Sequence, residues 1–249
     1  MNPVLPTWVA NVAVTVAGSL LVGCGAAGDG PSATPSLHGS PKPSGASADG
    51  TGALVVFDGD SLTVGYRIGS RESYPSQVAQ SLPEGTSTLN VAVSGQTWPD
   101  LSADAVEEVD AQYSVDRPAN VVVVWAAAND LAMGYTAKEV AHNARDYCAQ
   151  RRRHGFAVVL LTMYPLQPRG IDADYERERR AYNELLRAGW HEYADALVDV
   201  AADGRLGDES GQDRSRYFLD PVHLNAAGYR VVAELVAQVL RPLIVGPAQ

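Results

Sequence analysis

Five short, predominantly apolar runs punctuate the chain between residues 53 and 200. They are Ala53–Asp58, Thr88–Val93, Asn120–Ala126, Phe156–Thr162 and Ala196–Val200, with Asn120–Ala126 the most β-rich. None alternates apolar with polar. Continuous short runs of this kind mark strands buried on both faces, as in a parallel sheet. Between them the period changes to that of helices. Helices are predicted over Ser73–Leu82, over Pro99–Tyr113 with proline in the first turn, and from Thr136 to about Arg153. Thr136-Ala137-Lys138-Glu139 spells a capping box, and Arg151, Arg152 and Arg153 meet the negative end of that helix's dipole. Further helices are predicted over Asp172–Tyr193 and Asn225–Leu240, the last with Val231, Val232, Leu235, Val236 and Val239 on one stripe. Strands alternating with helices give βαβ units with right-handed crossovers.

The first 52 residues read differently. Trp8–Gly23 is apolar or small and ends in Leu21-Val22-Gly23-Cys24. That length suits the apolar centre of an export signal better than a membrane span of about 20 residues. Small residues before Cys24 resemble a bacterial lipobox, in which the cysteine becomes the lipidated N-terminus. No Lys or Arg precedes Cys24, whereas export signals usually open with positive charge. The alternative is an ordinary cleaved signal with Cys24 incidental. Residues 25–52 are rich in Gly, Ser, Pro, Ala and Thr and hold too little apolar surface to offset ordering entropy. A flexible tether of that length spans roughly 30 Å. The expected organisation is a signal over 1–24, a linker over 25–52 and a folded domain over 53–249. Export follows, either to the outer face of a bacterial membrane as a lipoprotein or into the medium.

Composition removes several function classes. The 249 residues carry 19 Lys plus Arg against 29 Asp plus Glu, for a net charge of −10. Phosphate contacts need a basic face, so nucleic acid is not an expected partner. Two cysteines are too few for a disulfide scaffold or a cysteine-based zinc site. His142, His154 and His191 lack acidic or thiol neighbours at ligand spacing, so no metal or cofactor is expected. Cys148, mid-helix, reads as a buried thiol and Asn183 as a structural hydrogen-bonder.

Ligands of open α/β sheets bind outside the carboxyl ends of the strands. The segments there are polar: Asp58-Gly59-Asp60-Ser61 after the first run, Ser94-Gly95-Gln96-Thr97 after the second, Ala127-Ala128-Asn129-Asp130 after the third. Asp220-Pro221-Val222-His223 follows the fifth. A serine hydroxyl needs an adjacent base to act as a nucleophile, and His223 is the base these segments offer to Ser61. Asp220, three residues earlier, can fix the imidazole tautomer. The backbone N–H groups of Ser61 and Gly95 and the Asn129 amide can form an oxyanion hole. That set is complete for acyl transfer. Asp60 and Asp130 are expected to brace the loops of Ser61 and Asn129. Trp98 is expected in either the cleft or the core, and Tyr164-Pro165-Leu166 as a pocket wall.

Gly59-Asp60-Ser61-Leu62 after a strand, followed by Gly95, Asn129 and Asp220-x-x-His223, resembles the GDSL family of the SGNH hydrolases. The resemblance covers about Ala53–Leu240. It implies a flavodoxin-like three-layer α/β/α fold with about five parallel strands, and ester hydrolysis through an acyl-enzyme. It makes Ser61 nucleophile and oxyanion donor, Gly95 and Asn129 the other donors, His223 the base and Asp220 its partner. One position departs: the family usually has Gly two residues before the asparagine, and here it is Ala127. Asn225 matches the family's helix entry and is expected to be an N-cap. Three activities follow as expectations. The first is a monomeric esterase removing small acyl groups, such as acetyl, from carbohydrate or other small-molecule or polysaccharide esters. The second is a lipase, lysophospholipase or thioesterase for longer acyl chains. The third, motivated by Ala127, is a non-catalytic binding lipoprotein on the same fold.

Overall fold

The computed structural model describes residues 52–166, 173–207 and 214–245. The expected signal, Cys24 and most of the linker lie outside these residues, as does Asp172.

Five strands form one wholly parallel sheet in the order β2-β1-β3-β4-β5. They are β1 (Leu54–Gly59), β2 (Ser87–Asn90), β3 (Asn120–Trp125), β4 (Ala157–Leu161) and β5 (Ala196–Val198). All six residues of β1 and of β3 are buried, as the apolar Leu54–Phe57 and Val121–Trp125 require, and the polar Asp58 and Asn120 are buried with them. Two strands, β2 and β5, stop at least two residues earlier than expected. Beyond β2 the Asn90 carboxamide donates to the Thr63 carbonyl and accepts the Ala92 N–H, which turns the chain. Beyond β5 Asp199 turns to Thr162 and Arg187, and a 3₁₀ turn at Val200–Ala202 follows.

The helices are α1 (Ser61–Val64), α2 (Tyr74–Ala79), α3 (Trp98–Glu108), α4 (Ala128–Ala132), α5 (Ala137–His154), α6 (Ala173–Gly189), α7 (Arg214–Tyr217) and α8 (Ala226–Val245). Helices α3, α5 and α6 pack together on one side of the sheet, and α2 and α8 on the other. This is the three-layer α/β/α sandwich that the family resemblance implied. The capping box at Thr136 and Glu139 forms with both hydrogen bonds. A second, at Thr97 and Asp100, starts α3 one residue before Pro99. Asn225 caps α8 by accepting the N–H groups of Ala227 and Gly228.

The order 2-1-3-4-5 reverses direction between β1 and β3, the switch point where such sheets open a crevice. Gly59 at the end of β1 pairs with Trp125 at the end of β3, so the segments that follow emerge side by side. Beneath them Phe57, Tyr74, Trp125, Tyr164 and Phe218 form a row of tilted rings with successive centroids 5.3–5.7 Å apart. Edge-to-face pairs of this kind contribute about 0.5–1.5 kcal/mol each beyond burial. The row ties β1 to the segment that carries His223.

Candidate active site

Gly59 has φ of 146°, and a Cβ there would lie 2.2 Å from the Trp125 carbonyl oxygen. Only glycine lets β1 turn sharply at this point. Asp60 then caps α1, its Oδ1 accepting the Leu62 N–H at 2.9 Å. Ser61 becomes the first residue of a one-turn helix and points its hydroxyl out of the sheet edge.

That hydroxyl meets His223. Ser61 Oγ lies 2.9 Å from His223 Nε2, and His223 Nδ1 lies 3.0 and 3.1 Å from the Asp220 carboxylate oxygens. An ionised carboxylate only accepts, so Nδ1 carries the proton and Nε2 is left to accept from the serine. Asp220 Oδ1 also accepts the backbone N–H groups of Val222 and His223, at 2.8 and 2.7 Å. Partial burial acts to raise the Asp220 carboxyl, but these hydrogen bonds outweigh it and hold it down at about 2.

The loop carrying both residues is pinned on every side. Leu219 N–H donates to the His223 carbonyl at 2.8 Å, and Phe218 bridges Leu224. The Tyr164 hydroxyl donates to the Val222 carbonyl at 2.6 Å. Arg214 donates to the carbonyls of Pro221 and Pro165. Tyr66 covers one face of the His223 ring, with centroids 4.6 Å apart. Tyr66, Tyr164 and Arg214 carried no sequence signal for these tasks, because each acts through the fold. Tyr164 and Leu166 are buried braces and not the expected pocket wall.

Asn129 sits on α4, directly after β3. Its amide nitrogen donates to the Gln96 carbonyl at 2.8 Å and, more weakly, to Asp60 Oδ2 at 3.4 Å. The Gly95-Gln96 turn, the Ser61 loop and Asn129 are thus joined at one point, with Gly95 at φ of 90°. Asp130 does not brace Asn129 as expected. It accepts the Trp98 N–H at 3.1 and 3.3 Å and so anchors the start of α3. Trp98 itself is fully buried, its ring 5.5 Å from that of Tyr147, which places it in the core. Behind β1, Asp58 accepts the Tyr147 hydroxyl at 2.5 Å. Burial pushes the carboxyls of Asp58 and Asp130 up to about 6 and that of Asp60 to about 7.

Ala127 has φ of 124° and ψ of −17° and is fully buried. The chain keeps a backbone conformation suited to glycine while carrying a methyl group there. Such a residue costs on the order of 1–3 kcal/mol in the folded state. Ala127→Gly is therefore expected to raise the unfolding free energy by about 1 kcal/mol, after allowing for the greater freedom of glycine when unfolded. Urea denaturation at equilibrium measures this. A lower midpoint with unchanged slope would show that the methyl group's packing outweighs the strain.

The remaining candidates lie away from this place. His142 pairs with Asp146 one helical turn on, and His154 lies 3.8 Å from Asp110. His191 sits in a 3₁₀ turn beside Trp190. No cluster of three or more His, Cys, Asp or Glu with metal-binding geometry occurs among the described residues. Cys148 is fully buried, which pushes its thiol well above its ordinary range. Asn183 brackets Met163, accepting its N–H and donating to its carbonyl.

Comparison with known proteins gives the family and the fold. The profile of the GDSL-like lipase/acylhydrolase family matches residues 57–231. A lipolytic G-D-S-L family protein from Veillonella parvula superposes with a TM-score of 0.63 at 19% identity, covering 75% of this chain and 97% of its own. An acetylxylan esterase from Geobacillus stearothermophilus gives 0.60 at 20%, covering 76% and 94%. A GDSL-like lipase from Bacteroides thetaiotaomicron gives 0.60 at 20%, covering 75% and 87%. No functionally curated protein matches the sequence. The family match runs from β1 into α8 and takes in every polar segment gathered around Ser61. The chain belongs to the GDSL-like lipase/acylhydrolase family and is a carboxylic ester hydrolase.

Proposed function

We propose that Ser61 is the nucleophile of a two-step hydrolysis in which His223 moves the proton and Asp220 holds His223. The observation that carries this reading is the 2.9 Å contact of Ser61 Oγ with an imidazole whose other nitrogen is held by a carboxylate. Nε2 takes the serine proton as Oγ attacks the ester carbonyl carbon. The developing oxyanion accepts hydrogen bonds from the backbone N–H groups of Ser61 and Gly95 and from the Asn129 amide. One Asn129 hydrogen is held by Gln96; the other makes only the weak contact with Asp60 and can be drawn to the oxyanion. The imidazolium returns its proton to the departing alcohol, leaving Ser61 acylated. Water, deprotonated by His223, then releases the acid. Lipidation of Cys24, with residues 25–52 as tether, belongs to the same proposal and places the reaction outside the cell. The small-residue pattern around Cys24 supports that location.

Small acyl groups on carbohydrate remain one substrate reading. A longer, apolar acyl chain is favoured by the rim of the site. Val64, Val93, Met133, Tyr135 and Leu219 are all exposed. Their backbone N–H groups donate to the carbonyls of Asp60, Gly59, Asn129, Asp130 and His223 respectively. The backbone of each is therefore tied to a residue of the site or its immediate neighbour, which sets these exposed apolar residues close to it. Every methylene that this rim covers is worth about 0.8 kcal/mol, roughly a fourfold effect. Across p-nitrophenyl esters, kcat/KM is expected to climb by up to about that factor per added methylene before levelling. A maximum at acetate would return the substrate to the small-acyl class.

A further inference from the structure

The half-buried Tyr66 has no role in the chemistry above, yet it is held firmly in place. Gly65 before it adopts φ of 82°, and a Cβ there would lie 2.5 Å from the Ser73 Cβ. The Tyr66 N–H donates to the Ser61 carbonyl at 3.1 Å. This turn folds the aromatic ring back over His223, 4.6 Å between centroids and tilted by 41°. We infer that Tyr66 is a positioning residue whose ring face stabilises the imidazolium form of His223 as it arises during acyl transfer. The inference rests on the reading of Ser61 and His223 given above.

The physical basis is selective. A cation within about 6 Å of an aromatic centroid is attracted to the ring's negative face, whereas a neutral imidazole gains much less. His223 is neutral before attack and positive at the transition state, so the contact acts on the barrier and not on substrate binding. The groups that face or flank His223 are few. Asp220 holds Nδ1, and Ser61 follows the buried Asp60. Arg214 and Tyr164 reach the Pro221 and Val222 carbonyls of the same loop. Tyr229 on α8 lies within electrostatic reach of Asp220. Tyr66 meets the face of the imidazole.

The test compares Tyr66→Leu, which keeps the cover and removes the π-face, with Tyr66→Phe, which keeps the ring. In Tyr66→Leu the acid limb of kcat/KM against pH is expected to move down by about half a pH unit. The plateau kcat should fall about two- to fivefold, with KM unchanged. Tyr66→Phe is expected to restore the wild-type limb. If Tyr66→Leu does not fold, Tyr66→Met serves in its place. A raised KM with an unmoved acid limb would overturn the inference and make Tyr66 a substrate contact. A lower kcat with an unmoved limb would overturn it in favour of packing alone. Failure of the underlying reading looks different: His223→Ala would then keep its activity.

Discussion

Ser61→Ala is expected to lower kcat on a p-nitrophenyl ester by roughly 10⁴- to 10⁶-fold while leaving the protein folded. The hydroxyl's hydrogen bond is to His223 Nε2, and the cap of α1 is supplied by Asp60. Removing Oγ therefore breaks one buried hydrogen bond and no backbone contact, a loss of about 1 kcal/mol in stability. It removes the atom to which the acyl group would be bonded. His223→Ala should cost a comparable factor, because a serine hydroxyl without a base is a poor nucleophile. The double variant should be no slower than the worse single one, since two parts of one unit do not add. Single-turnover assays on the three variants and the parent check this. Equal activity in Ser61→Ala and the parent would place the nucleophile elsewhere. A folded parent inactive across the ester series would favour the binding-protein alternative that Ala127 raised.

The fold was legible where the physics is local or strongly periodic. β1, β3 and β4 are built on the apolar runs Leu54–Phe57, Val121–Trp125 and Ala157–Leu161, and both faces of the sheet are covered, so the burial of these runs follows directly. The capping box at Thr136 is a four-residue signal that needs no tertiary help. The polar segments around Ser61, Gly95, Asn129 and Asp220 could be read because a parallel sheet sends each strand's exit to one edge. Helices α1 and α4 were not foreseen, since one turn is too short to show a period. Sequence adjacency points Asp130 to Asn129, but its partner is Trp98, 32 residues away. Tyr66 carried no signal because its contact with His223 spans the whole domain. At Ala127 the sequence shows only a departure from the family's usual glycine in a row of three alanines; the strain itself appears in the backbone angle.

Asp220→Asn tests the other end of the proton path and should be nearly as severe, with kcat falling by about 10³- to 10⁴-fold. Its carboxamide oxygen can still accept the Val222 and His223 N–H groups, so the loop should keep its shape. Its amide nitrogen, a donor, then faces His223 Nδ1. That favours the tautomer with the proton on Nε2, which can no longer accept from Ser61. The loss should therefore appear in kcat, with the crystal structure of the loop unchanged. Stability gives an independent check with a definite sign. The Asp220 carboxyl lies at about 2 when folded, below its ordinary 3.8. Its contribution is present above pH about 4 and is lost as pH falls towards 2. Asp58, Asp60 and Asp130 act in the opposite sense. Their folded values are raised to about 6, 7 and 6, so what they contribute is present in acid and lost as pH rises through 6–7. Both proteins share those three carboxyls, so the difference in melting temperature between parent and variant reports on Asp220 and its partner His223. That difference should shrink on acidification below about 4. A difference that persists undiminished at pH 2 would mean that the Asp220 charge does not hold His223, and that shape alone orients the imidazole.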